Sequence, residues 1–201
     1  LWRVGMDMID MTAPCRSTAK ILDAVTDAQL AGPTPCERLT LSEVVAHVGG
    51  LGVAFAAAAR KDLGELTDSP PGDEGYLLDD DWRSQYPANL ATLADAWTRT
   101  GAWDGMTRDG GVDLPGEVCG MVGLTEVVIH GWDVAVATRQ DYAVDDDVAE
   151  AVLAHIAGFA ADGPVEGLFG PAVEISSGAF AFDRALALSG RDPEWRLGRR
   201  D

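Results

Sequence analysis

A glutamate and a histidine stand four residues apart in an otherwise apolar run, "GLTEVVIHGWDVAVA" at 123–137. On a helix, residues i and i+4 share a face about one turn apart, so Glu126 and His130 would project together. A buried carboxylate is costly unless it is paired or bound to a cation. A second apolar stretch, 44–59, repeats the oddity, because its one titratable side chain is His47. Two imidazoles and one carboxylate suit a catalytic zinc site, with three protein ligands and one open position. The same donors suit non-haem Fe(II), so the element stays open. The plainer alternative is an i,i+4 hydrogen-bonded pair plus a core histidine satisfied by backbone carbonyls.

The neighbours of these residues divide the same way. Asp133, one turn beyond His130, either orients that ligand from behind or serves as a helix-end or salt-bridge residue. Trp132 reads as packing, with a pocket wall as the alternative. His155 lies on the apolar stripe Val148, Val152, Ile156, Phe159 and reads as structural. Cys36 and Cys119 have no base beside them in the sequence, which argues against a nucleophile. Gly49, Gly50 and Gly52 follow His47 on a helical pattern, so they read as close-packing positions rather than a phosphate loop.

The elements that must position these groups are mainly helical. Met8, Met11, Cys15, Thr18, Ala19, Leu22 and Val25 recur at helical spacing, ending before "AGPTP". Thr40 and Glu43 form a capping-box pattern that opens a second helix running to about residue 63. "DSPPGDEG" reads as a loop, and a third helix fits 82–103. A turn-rich stretch follows, with at most a short strand at 112–114. A fourth helix is expected over 116–138 and a fifth over 145–160, its acidic first turn suiting the helix dipole. "AVEIS" alternates like a strand, and "AFDRALALSG" closes as a helix. The fold class is therefore all-α dominated, a four-helix bundle over 1–140 with a small helix/strand extension over 141–201 packed on it. In such bundles sites form between facing helices.

Composition narrows the partners. The 201 residues carry 15 Lys+Arg against 33 Asp+Glu, a formal charge of −18, and 47% are hydrophobic. That balance fits a globular chain and disfavours nucleic acid and anionic membrane surfaces. The one basic cluster is the terminal "RLGRR". Three widely spaced cysteines without a C-x-x-C suit reduced thiols, hence the cytoplasm. "VVAHVGGLGVAFAAAA" is only 16 residues and Gly-broken, so it reads as a buried helix rather than a membrane span. The N-terminal "LWRVGMDMIDM" lacks a signal-peptide layout, and Met6, Met8 or Met11 could each be a natural start. An apolar helix face left uncovered would make a homodimer.

Three segments carry a family resemblance: "PTPCERLTLSEVVAHVGG", "EVVIHGWDVAVATRQ" and the closing "GRDPEW". They resemble the actinobacterial proteins related to mycothiol-dependent maleylpyruvate isomerase, within the DinB/YfiT-like superfamily. The resemblance implies a four-helix bundle with a divalent metal, typically zinc with iron or nickel as alternatives, held at His47, Glu126 and His130. The sequence departs from the usual pattern at Leu39 for Trp, Ser42 for Arg, Glu43 for Asp, and Arg139 for Gly. The last change removes a favourable helix C-cap, so an altered turn is expected there. The three ligand positions survive these changes. The substrate assignment does not, so the chain reads as a homologue rather than the isomerase.

The resemblance further implies mycothiol as a thiol cosubstrate whose thiolate adds to a small electrophilic substrate, giving isomerisation or S-transfer. Arg38 and Arg83 are candidate anchors for a carboxylated substrate, with surface salt bridges as the alternative. Metal-assisted hydrolysis, a metal-free pocket enzyme, and a non-catalytic bundle that binds a metal or small ligand are the rival functions.

Overall fold

The computed structural model describes residues 8–69, 76–160 and 170–198. Most of the "DSPPGDEG" loop and the end of the basic tail lie outside the described residues.

Four long helices make the bundle: α1 (Thr12–Asp23), α2 (Leu41–Arg60), α4 (Trp82–Trp97) and α6 (Gly116–Ala137). α1 and α2 each pack against both α4 and α6, so the four close a ring around one core. Leu22, Val44, Leu90, Leu124 and Ile156 are wholly buried in it. The bundle is DinB-like, as expected.

Local chemistry explains the helix ends. Asp10 Oδ1 accepts the Thr12 N–H at 2.8 Å, starting α1 later than the periodicity suggested. At α2 the capping box forms: Glu43 Oε2 accepts the Thr40 backbone N–H at 2.8 Å and its hydroxyl at 2.6 Å. α2 then stops at Lys61, which adopts a left-handed conformation (φ 59°). α6 ends the same way at Arg139 (φ 59°), and Gln140 N–H returns to the Ala135 carbonyl at 2.8 Å. The left-handed cap therefore survives without glycine. Holding a non-glycine residue there carries a strain of about 1–2 kcal/mol.

Three expectations need correction. The helix read over 82–103 is two helices, α4 and the short α5 (Thr100–Trp103). The break lets Trp103 fold back, its Nε1–H donating to the Trp97 carbonyl at 2.8 Å and its ring meeting Trp97 edge-on at 5.0 Å. The single strand at 112–114 is one arm of a hairpin, β1 (Met106–Asp109) with β2 (Val112–Pro115). Its two-residue turn is Gly110–Gly111, both with positive φ, the turn that right-twisted strands favour. Residues 172–176 form no strand; Val173 N–H bonds instead to the Ala187 carbonyl, in a helix.

The short α3 (Glu65–Asp68) packs on α2 and on β1. α7 (Asp146–Ala160) packs on α6 and on α8 (Ala181–Leu188). α2 and α6 are in fact long and apolar enough to cross a bilayer by length and composition. Their apolar windows are 61% and 83% buried inside the fold, as those of core helices are.

Candidate metal centre

Glycines let the helices carrying the site come close. A Cβ at Gly49 would collide with the Tyr86 ring, and one at Gly52 would lie 2.8 Å from Asn89 Cβ. Gly49 and Gly52 thus seat α4 against α2, while Gly50 faces open space and takes no part. On α6, Gly131 makes room for the hydroxyls of Thr18 and Tyr142.

α2 and α6 bring His47, Glu126 and His130 together. One donor atom from each lies within 4.8 Å of the others. His47 Nε2 is 3.1 Å from Glu126 Oε2, and His130 Nε2 is 3.3 Å from the same oxygen. The two imidazoles meet edge-on, centroids 4.7 Å apart. The side chains keep 12%, 17% and 10% of their exposure, so the cluster is nearly closed yet still reached by solvent.

This donor set fits a divalent cation. Donor–donor edges in a tetrahedral site with arms of about 2.0–2.2 Å run about 3.3–3.6 Å. The two imidazole–carboxylate distances are already close to that, and no donor pair lies farther apart than 4.8 Å. Three protein donors rather than four leave a position for an exogenous ligand.

Behind His130 is a buried polar chain. His130 Nδ1 is 3.0 Å from Asp133 Oδ2. Arg191, on the turn after α8, donates from Nη2 to that same oxygen at 3.0 Å and from Nε to Oδ1 at 3.4 Å. Asp133 has no exposure and Arg191 7%. A carboxylate behind a ligating imidazole fixes its tautomer and ring plane, leaving the other nitrogen for the site.

Electrostatics follow from these contacts. Burial opposes a charge on His130, but hydrogen bonds to Asp133 and Glu126 outweigh it and push the imidazole up to about 9. Burial would raise Glu126, yet its hydrogen bonds with His130 and His47 hold it well below the usual carboxylate range. Asp133 also resists burial and stays low, through the Arg191 charge first and His130 after it. His47 goes the other way, because burial lowers it more than Glu126 raises it.

The remaining candidates separate cleanly. Asp133 does brace His130. Trp132 is buried in the core, the packing role. Arg83 takes the salt-bridge alternative, donating to Asp27 and to the Val25 carbonyl, both at 2.6 Å, and lying over the Trp82 ring. Arg38 is exposed on the loop before α2, in the electrostatic neighbourhood of Cys36. His155 packs its ring on Phe159, and burial pushes it down to about 4. Burial pushes the Cys119 thiol up to about 12 and raises Cys36 as well, which suits neither to nucleophilic attack.

Sequence reasoning missed Arg191, Tyr76 and Asp109. Arg191 lies in "GRDPEW", which reads as a family signature but offers no partner until the chain folds. Tyr76 sets its ring 4.8 Å from that of His47. Asp109, at the end of β1, is pushed up to about 6 by burial and by the charge of Glu126.

Fold and site together define a DinB-like helical bundle with a His/Glu/His donor set on two facing helices. The chain belongs to the mycothiol maleylpyruvate isomerase N-terminal domain family, whose sequence profile matches residues 11–135. That span holds all three donors and Asp133 but not Arg191. Two uncharacterized proteins, from two strains of Mycobacterium tuberculosis, are each 29% identical over 131 residues. The aligned stretch covers 65% of this chain and 66% of each relative, just under two thirds of their length. No solved structure matches the chain.

Proposed function

We propose that the chain is a metal-dependent enzyme that uses a low-molecular-weight thiol of the mycothiol type against a small electrophilic substrate. The observation that carries this reading is the convergence of three donors, and no fourth among the described residues, within 4.8 Å on facing helices. Membership of a family named for a mycothiol-dependent isomerase supports the choice of thiol. His47, Glu126 and His130 would hold the cation, zinc foremost. When bound, such a cation stabilises a thiolate near neutral pH.

The chain's own groups do the rest. Glu126 stays ionised between two imidazoles and serves as donor rather than base. Asp133 holds His130 by Nδ1, so Nε2 faces the site. The nearly closed surround limits water at the cosubstrate sulfur. Arg38, exposed on the loop before α2, is a candidate to anchor a carboxylated substrate. Sulfur adds to an electrophilic carbon, forming one S–C bond while the substrate's π electrons take up a proton. Loss of the thiol after bond rotation gives isomerisation, and retention of the adduct gives S-transfer.

One observation favours a second reading. Glu126 Oε2 already sits between both imidazoles at hydrogen-bond distance, so the trio closes on itself as an ion cluster in a metal-free pocket. Elemental analysis of untagged protein separates the two. About one equivalent of metal in the wild type, lost in both His47→Ala and Glu126→Ala, is the expected result. A wild type that neither carries metal nor takes up zinc would leave the ion cluster as the correct reading.

A further inference from the structure

Arg191 comes from the segment beyond the family match, yet its charge ends against the site. Its guanidinium grips both oxygens of Asp133, and one of them, Oδ2, also faces His130 Nδ1. The arginine is itself fixed. Nη1 donates to the Ser189 carbonyl at 3.0 Å, and its backbone N–H bonds to the Leu186 carbonyl at 2.9 Å. The preceding Gly190 has φ +84°, and a Cβ there would lie 2.7 Å from the Gly170 backbone, so the turn admits little else.

We propose that Arg191 is a positioning residue of the metal site, acting on His130 through Asp133. The inference rests on the metal reading above. A carboxylate tied by a single hydrogen bond can still rotate about its own axis, carrying the imidazole with it. A planar two-pronged donor removes that freedom, because both oxygens are then held in one plane. An ammonium group would supply the charge without the fork. Asp133 so fixed holds His130 by Nδ1 and leaves Nε2 presented to the site. Docking of the turn after α8 and binding of the cation therefore stabilise one another.

The test uses the full chain and two probes, zinc in competition with a chromophoric chelator and the visible spectrum of the cobalt-loaded protein. Arg191→Met should weaken zinc binding about 10–100-fold, the usual cost of losing a partner behind a ligand. It should also alter the cobalt ligand-field bands, which report ligand orientation. Arg191→Lys should fall between wild type and Arg191→Met. Because Arg191 acts through Asp133, the double variant Asp133→Asn/Arg191→Met should bind no more weakly than Asp133→Asn alone.

Wild-type zinc affinity and cobalt spectrum in both Arg191 variants, even with a lowered Tm, would make the arginine a structural pin and overturn the inference. So would losses that simply add in the double variant. Should Arg191→Met fail to fold, Arg191→Lys decides the matter alone. Failure of the wild type to take up either metal would sink the proposed function and this inference together. A wild type that binds normally beside indifferent Arg191 variants would sink the inference only.

Discussion

The two histidines flanking Glu126 are held in opposite ways. His130 is braced by charge, with Asp133 and then Arg191 behind it, and it favours its protonated form up to about 9. His47 shares the same Glu126 oxygen and is otherwise braced by packing, with the Tyr76 ring against it. Burial there dominates and lowers its affinity for a proton. The contrast shows two routes to a preorganised donor. One fixes the ring by a directed network that extends into the C-terminal segment. The other adds only shape to the Glu126 contact that both rings share.

Breaking the charged flank should have the largest effect. Asp133→Ala would leave Arg191 buried without its carboxylate, and uncompensated buried charges typically cost about 3–5 kcal/mol. At this chain length that is a fall in Tm on the order of 10 °C, measured by calorimetry on metal-free protein. Metal affinity should drop with it. A loss below about 1 kcal/mol would mean that water already shares the load around Asp133, and the contrast between the flanks would fail.

Much of this was legible in the sequence, and for a physical reason. Helical periodicity is local, so polar residues inside apolar helices announced Glu126, His130 and His47. The i,i+3 relation likewise put Asp133 beside His130. Arg191 was not legible as part of the site, since its partner is 58 residues away and only tertiary packing joins them. Tyr76 belongs to no periodic element. The first hairpin strand, "MTRD", is polar and four residues long, and its clue was the Gly110–Gly111 turn rather than its own pattern. Residues 172–176 mislead in the opposite sense. Alternation there is real, but a strand needs a neighbour, and the segment meets a helix.

A second carboxylate sharpens the comparison. Asp109 lies in the field of Glu126, and its hydrogen bond from the Gly110 backbone does not offset burial and repulsion. Its carboxyl sits at about 6 in the fold, against 3.8 ordinarily. The folded state thus binds the proton more tightly than the unfolded chain, so stability falls as pH rises from about 4 through 6. Asp109→Asn removes that loss. With solvent screening of a half-buried group, the gain at pH 7 should be on the order of 1–2 kcal/mol. It should vanish below about pH 4. Denaturation curves at pH 4 and pH 7 check both arms, and a gain of equal size at the two pH values would assign the effect to packing instead.

The gentlest test addresses the packed flank. If Tyr76 holds His47 by shape alone, Tyr76→Leu should keep one equivalent of metal, because an aliphatic side chain still covers the imidazole. The loss should be the aromatic-pair contribution, about 0.5–1.5 kcal/mol at most and at the low end for a half-buried ring. Zinc affinity should then change by no more than about tenfold, the equivalent of 1.4 kcal/mol. Tyr76→Gly, which uncovers the ring, should cost more than Tyr76→Leu in the same titration. Equal and large losses in both would show that His47 depends on the phenol itself. Both histidines would then be held by polar partners beyond Glu126, and the difference between the flanks would lie only in which of those partners carries charge.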